Sequence, residues 1–307
     1  CSFCTIINVQ GNTMRGRTPD DIEAVIKRNQ AQGIRGYFIT DDNFARHPRW
    51  EEIADRIISL KGKKRATLMV QTDTMSYRIP RFVDKLARAG CRRIFIGMES
   101  VNQDNLKACS KPQNRIHDYR TMLQAWRDAG VVVHVGYIIG FPGDTYDSVM
   151  RDVERLKQEL PIEFVEFFVM TPLPGSQDHL DNYLKDVPME KDMNEYDTTR
   201  PCMEHPRMSR DELIRAYRDA AKSFYSRKHV ETILKRRKDR RRKTIARHMI
   251  WFRSAVLIDG LHPFLYGIFR IKGRKRRSPK FRTESAPVYY CRRIRDIVSW
   301  AVRTLLM

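Results

Sequence analysis

Cys1 and Cys4 are two thiols spaced C-x2-C, with the aromatic Phe3 immediately before the second. On chemistry alone such a pair suits half a zinc site, a redox couple or part of an iron–sulfur loop, and an N-terminal cysteine also suits a processed lipoprotein. No second Cys/His pair stands at finger spacing, which weakens zinc, and no strand precedes the pair as in a thioredoxin-like site. Other chemistry-bearing groups recur along the first two thirds of the chain: Asp41-Asp42-Asn43, Thr72-Asp73-Thr74, Glu99-Ser100, Gly140-Phe141-Pro142-Gly143 and Thr171-Pro172-Leu173-Pro174-Gly175. Carboxylates, hydroxyls and Gly/Pro turns of this kind bind and orient a polar ligand.

The elements that position these groups are legible from periodicity. Amphipathic helical stretches run near 20–32, 49–60, 80–89, 116–129 and 145–160, and short apolar runs near 36–40, 66–71, 93–97, 131–139 and 164–170. Gly33, Gly90 and Gly130 stand where helix C-caps belong. Strand–helix alternation at this spacing predicts a parallel sheet of βα units, whose buried strands read as near-continuous apolar runs. Each polar cluster follows a strand, so five strand ends converge on one shared site.

Five motifs occur in order: Cys1–Cys4, Thr40-Asp41-Asp42-Asn43-Phe44, Gly97-Met98-Glu99-Ser100, Gly136-Tyr137-Ile138-Ile139-Gly140-Phe141-Pro142 and Pro172-Leu173-Pro174-Gly175. Together they resemble the radical S-adenosylmethionine (radical SAM) superfamily, within it the branch with an N-terminal cobalamin-binding domain, over roughly residues 1–200. The resemblance implies an α/β fold, a partial (βα)6 TIM-like barrel lacking its first strand, over 1–205. It implies a [4Fe–4S] cluster held by three cysteines, with Cys1 and Cys4 the second and third ligands. SAM would chelate the open iron and be cleaved to a 5′-deoxyadenosyl radical.

For SAM, the resemblance implies Asp41 or Asp42 at the methionine amino group, in place of a Gly-Gly-Glu triplet common in the family. It implies Glu99 and Ser100 at the ribose or amino-acid end, and Gly136, Ile138, Gly140 and Pro142 along the adenine. Phe3 would pack near the cluster or adenine. The first ligand, the first strand and a cobalamin domain are expected ahead of Cys1. A reductant such as ferredoxin or flavodoxin is implied, and so is methylation or rearrangement of a lipid or natural product. A tRNA-modifying methylthiotransferase and a non-catalytic scaffold are the competing readings. No catalytic side chain is identified. His134 reads as a core histidine, Tyr77, His117 and Tyr119 as candidates to face substrate, and Cys202 as the scattered cysteine closest to the barrel's end.

Charge divides the chain. Residues 1–205 are neutral, whereas residues 206–307 hold 29 basic and 8 acidic residues, the whole net charge of +21. Ser209 with Glu212 reads as a capping box for a helix to about Lys228, and a last amphipathic helix is expected from about Arg292. The aromatic segment 248–272 lies between two polybasic runs, a composition suited to an anionic membrane surface along residues 227–282, with RNA the second choice. The expected location is the cytoplasm, peripheral on the inner face of the membrane.

Overall fold

The computed structural model describes the chain except residues 7, 9, 10, 12, 14, 61–65, 112, 238–240, 256–284, 306 and 307. The chain divides into two compact units, Cys1–Tyr217 and Arg218–Met307.

In the first unit helices and strands alternate: α1 (Pro19–Ala31), β1 (Gly36–Phe38), α2 (Trp50–Ser59), β2 (Thr67–Thr72), α3 (Phe82–Ala89) and β3 (Cys91–Glu99). There follow α4 (Gln103–Ala108), α5 (Ile116–Asp128), β4 (Val132–Ile139), α6 (Tyr146–Glu159), β5 (Phe164–Val169), α7 (Gln177–Leu184) and α8 (Arg210–Phe224), which runs past the unit's boundary. The strands pair in parallel in the order β1-β2-β3-β4-β5, an α/β half-barrel. Thr18 and Thr145 close capping boxes that start α1 and α6. Gly90 ends α3 with φ 105°, and a Cβ there would meet the Ala66 carbonyl oxygen at 2.2 Å. Under the helices, Phe82 meets Trp50 and Trp126 edge-on at 4.8 and 6.0 Å, and every residue of β4 is buried.

β3 extends two residues beyond its expected apolar run at each end. Near its start the Arg93 guanidinium lies 4.7 Å over the Phe164 ring of β5. The helix expected to reach Lys228 stops at Phe224. Tyr225 is buried, and its carbonyl accepts a hydrogen bond from Arg253 Nη1 at 2.7 Å.

The second unit continues with α9 (Arg227–Lys235), α10 (Arg242–Ser254) and α11 (Ala286–Leu305). The apolar residues Ile245, Met249 and Phe252 of α10 are buried. The rest of the aromatic segment and the second basic run fall outside the described residues. Among the described residues no helix is long and apolar enough to cross a membrane.

Candidate active site

At the C-terminal end of β3 the ladder slips. Gly97 pairs with Gly136, but Glu99 pairs with Tyr137, which leaves Met98 as a bulge. Glu99 adopts φ 64°, a left-handed conformation costly for a residue with a Cβ. The turn is pinned from below: Tyr119 of α5 donates its hydroxyl to the carbonyls of Met98 and Ser100, at 3.0 and 3.2 Å. Asn114 donates to those of Gly97 and Met98, at 3.1 and 3.0 Å, and accepts from Thr74 at 2.9 Å. The bend places the nearly buried Glu99 carboxylate against the Lys111 ammonium, with which it forms a salt bridge. A Cβ at Gly97 would stand 2.5 Å from Glu99 Oε1, so the glycine vacates the space this carboxylate occupies.

The end of β4 is tied to the same turn. Gly140 has φ 97°, and the backbone N–H groups of Gly140 and Phe141 both donate to Asp144 Oδ2, at 2.9 and 3.0 Å. Asp144 Oδ1 accepts from Asn105 of α4 at 2.9 Å. The Asn105 amide also reaches Ser100 Oγ at 3.4 Å, and Ser100 Oγ accepts from Asn102 N–H at 3.0 Å. Ser100, Asn105 and Asp144 thus form one buried bridge between the two strand ends. Burial raises the Asp144 carboxyl above its ordinary range, opposed by its three donors. Earlier along β4, the missing side chain of Gly136 leaves a slot between Phe95 and Phe168, which a Cβ would contact at 3.0 and 3.4 Å.

The cysteine loop lies on this mouth. Ser2 N–H donates to the Cys109 carbonyl at 3.3 Å, and its carbonyl accepts from Asp178 N–H at the start of α7, at 3.1 Å. Phe3 packs on Cys109, Ile138 and Phe141, and its ring lies 5.9 Å from Lys111 Nζ. Cys1 is exposed, Cys4 half-buried, and both thiols are free. Two soft donors on a loop anchored at both sides fit a share of an iron–sulfur cluster. Among the described residues no three metal-binding side chains stand together.

Across the mouth, Asp41 accepts Asn43 N–H at 2.9 Å, and Asn43 donates to Asp73 Oδ2 at 3.0 Å. Arg46 reaches the same Asp73 oxygen at 2.8 Å. Asp42 is exposed, and its carboxyl is raised by partial desolvation and by the neighbouring Asp41. Pro142 is exposed at the tip of the β4 loop. Beside that loop a cavity of about 270 Å³ has an apolar wall that includes Phe141, Met170 and Met203 and a rim carrying Asp178, Asp181 and Lys185.

The side chains outside the motifs sort clearly. Tyr119 faces no substrate; it is fully buried and supports the β3 turn. His117 is exposed, and Tyr77 accepts from Arg78 at 3.0 Å. His134 is buried, with Nε2 3.3 Å from Glu166 Oε2. Cys202 is buried, which pushes its thiol up to about 11. Lys111, Asn105, Asn114 and Asp144 carry the site's geometry without having been singled out in sequence.

Residues 1–156 match the model of the radical SAM superfamily, half of the chain. The chain belongs to the radical SAM superfamily. This family uses a [4Fe–4S] cluster and SAM, and its enzymes need a reductant. The radical SAM chain is 26% identical over 231 residues to bacteriochlorophyllide d C-12(1)-methyltransferase of Chlorobaculum tepidum, covering 73% of this chain and 49% of that protein. It is 25% identical over 238 residues to an uncharacterized methyltransferase of Pyrococcus horikoshii, covering 75% and 50%. The chain therefore spans about half the length of the curated relatives it matches. In fold it is similar to the radical SAM methyltransferase TsrM from Kitasatospora setae, solved with cobalamin and a [4Fe–4S] cluster. The TM-score is 0.54 at 20% identity, over 71% of this chain and 44% of that one.

Proposed function

We propose that the half-barrel mouth binds SAM, with Glu99 and Lys111 receiving its amino-acid end, in an enzyme that methylates an unactivated carbon of an apolar lipid or natural product. The salt bridge between Glu99 and Lys111 beside the cysteine loop carries this reading. An amino acid bears an ammonium and a carboxylate on one carbon. A fixed carboxylate next to a fixed ammonium meets both with opposite charge, in a place where little water competes.

Each remaining residue has a part in this reading. Cys1 and Cys4 would hold two irons of the cluster, and Phe3 fixes their loop. Asp41 and Asp42 offer a second carboxylate across the mouth, the better placed of them contacting the methionine amino group. Gly136 leaves a flat slot for adenine beside Ile138, while Gly140 and Pro142 shape its rim. Ser100 acts through the Asn105–Asp144 bridge to hold Glu99 in its strained turn. The apolar wall of the neighbouring cavity suits the substrate carbon skeleton. When bound, the cluster supplies the electron for reductive cleavage of SAM.

Methyl transfer is favoured by the names of the relatives, and cobalamin belongs to the same reading because TsrM holds it. The electron would come from a small carrier such as ferredoxin or flavodoxin. The basic stretch 227–282 is read as facing an anionic membrane, which would keep the protein in the cytoplasm at the inner face of that membrane, with RNA as the competing polyanion.

Reconstituted anaerobically with iron and sulfide and then reduced, the protein is expected to consume SAM, releasing 5′-deoxyadenosine or S-adenosylhomocysteine. Neither product from a protein with a spectroscopically reduced cluster would sink the enzyme. E99Q and K111A should each weaken SAM binding by equilibrium dialysis about tenfold, a loss of about 1.4 kcal/mol.

A further inference from the structure

α11 is amphipathic, but it is turned the wrong way for an ordinary surface helix. Tyr290, Ile294, Ile297, Val298, Val302 and Leu305 recur at three- and four-residue steps and form one continuous stripe. Each is exposed, from 42% at Ile297 to 86% at Leu305. On the opposite side two charged residues are better covered than the stripe: the Arg292 and Asp296 side chains are 24% and 29% exposed. A helix that needed only to pack on its own unit would put the apolar stripe inward. Here the stripe faces out along a helix of 20 residues, about 30 Å at 1.5 Å per residue.

From this we propose that α11 is a docking helix for an anionic lipid surface, lying flat with the stripe of Ile294, Ile297, Val298 and Val302 in the headgroup–acyl boundary. This rests on the membrane reading of the basic region and is independent of the SAM chemistry. Charge decides the occupant. Residues 218–307 hold 26 basic and 6 acidic residues, so a second copy of the chain would bring like charge against like charge. RNA satisfies the charge but offers little to a row of Ile, Val and Leu. An anionic bilayer satisfies both, with the exposed Arg295 flanking the stripe at headgroup level. No described helix crosses the bilayer, which leaves surface docking as the geometry.

Sedimentation of the whole protein with phosphatidylcholine vesicles, with and without phosphatidylglycerol, tests the proposal. The wild type should pellet with the anionic vesicles and weaken as salt rises. The variant I294S/I297S/V298S should partition about tenfold more weakly or worse, with unchanged circular dichroism, because only exposed side chains are altered. V298W should partition more strongly than the wild type. Wild type and I294S/I297S/V298S pelleting equally with anionic vesicles would overturn the role of α11 and leave the membrane reading standing. A wild type that ignores both vesicles would overturn the two together. A wild-type dimer that the triple substitution makes monomeric, with neither form pelleting, would overturn the proposal and give the stripe to a second copy.

Discussion

The two halves of the mouth are built by opposite means. At the ends of β3 and β4 the polar groups are buried, and they are engaged in holding backbone: Tyr119 and Asn114 under the Glu99 turn, Asp144 on the N–H groups of Gly140 and Phe141, Asn105 joining the two. At the ends of β1 and β2 the acidic residues are half-buried or exposed, and Asp41 and Asp73 accept hydrogen bonds from Asn43 and Arg46. Buried polar networks are costly to leave half-satisfied and therefore rigid, whereas exposed ones adjust at little cost. The first half supplies shape and one fixed ion pair, Glu99 with Lys111, and the second supplies charge that can adjust.

The comparison breaks most readily at Asp144. D144A leaves two backbone N–H groups and the Asn105 amide without this acceptor in a dry interior. At about 1–3 kcal/mol for each orphaned group, the loss should be about 3 kcal/mol or more, read as a fall in the urea midpoint. Y119F removes one hydroxyl shared between two carbonyls and should cost about 1–2 kcal/mol in the same measurement. G97A strikes the ion pair itself: its Cβ must displace the Glu99 carboxylate from Lys111, so SAM affinity should drop about tenfold and the urea midpoint should fall by the equivalent of about 1 kcal/mol or more.

The exposed half should respond least. D41N and D42N are expected to shift the midpoint by less than the equivalent of about 0.5 kcal/mol, and the one that weakens SAM binding identifies the working carboxylate. A pH series sharpens this. The Asp42 carboxyl is raised in the folded chain, so the native state keeps its proton longer than the unfolded state does. That contribution is full below about pH 4, the ordinary carboxylate value, and is lost as pH rises through the raised one. D42N should therefore gain slightly on the wild type between acid and neutral pH.

The strands and helices of the first unit were legible because burial on a parallel sheet leaves apolar runs, and caps at Thr18, Thr145 and Gly90 punctuate them. The strand-end motifs placed Glu99 and Gly140 at the mouth for the same reason. Lys111, Asn105, Asn114 and Asp144 were not legible, since their role depends on contacts across 12 to 40 residues that leave no local pattern. The support role of Tyr119 was not legible either, because a tyrosine on an amphipathic helix gives no sign that its hydroxyl ends on a strand carbonyl. In the second unit the run of basic residues announced its charge, but not that α11 turns its apolar stripe outward.

The Ser100–Asn105–Asp144 bridge also bears on how such a protein is inherited. Three segments that are separate in the chain share one set of hydrogen bonds, so none of them should be exchangeable by itself. A chimera that takes the β3 turn from one relative and the β4 loop from another should fold poorly unless the intervening α4 travels with them. Recombination within this barrel has a natural block from about residue 97 to 144, and its crossover points belong outside it.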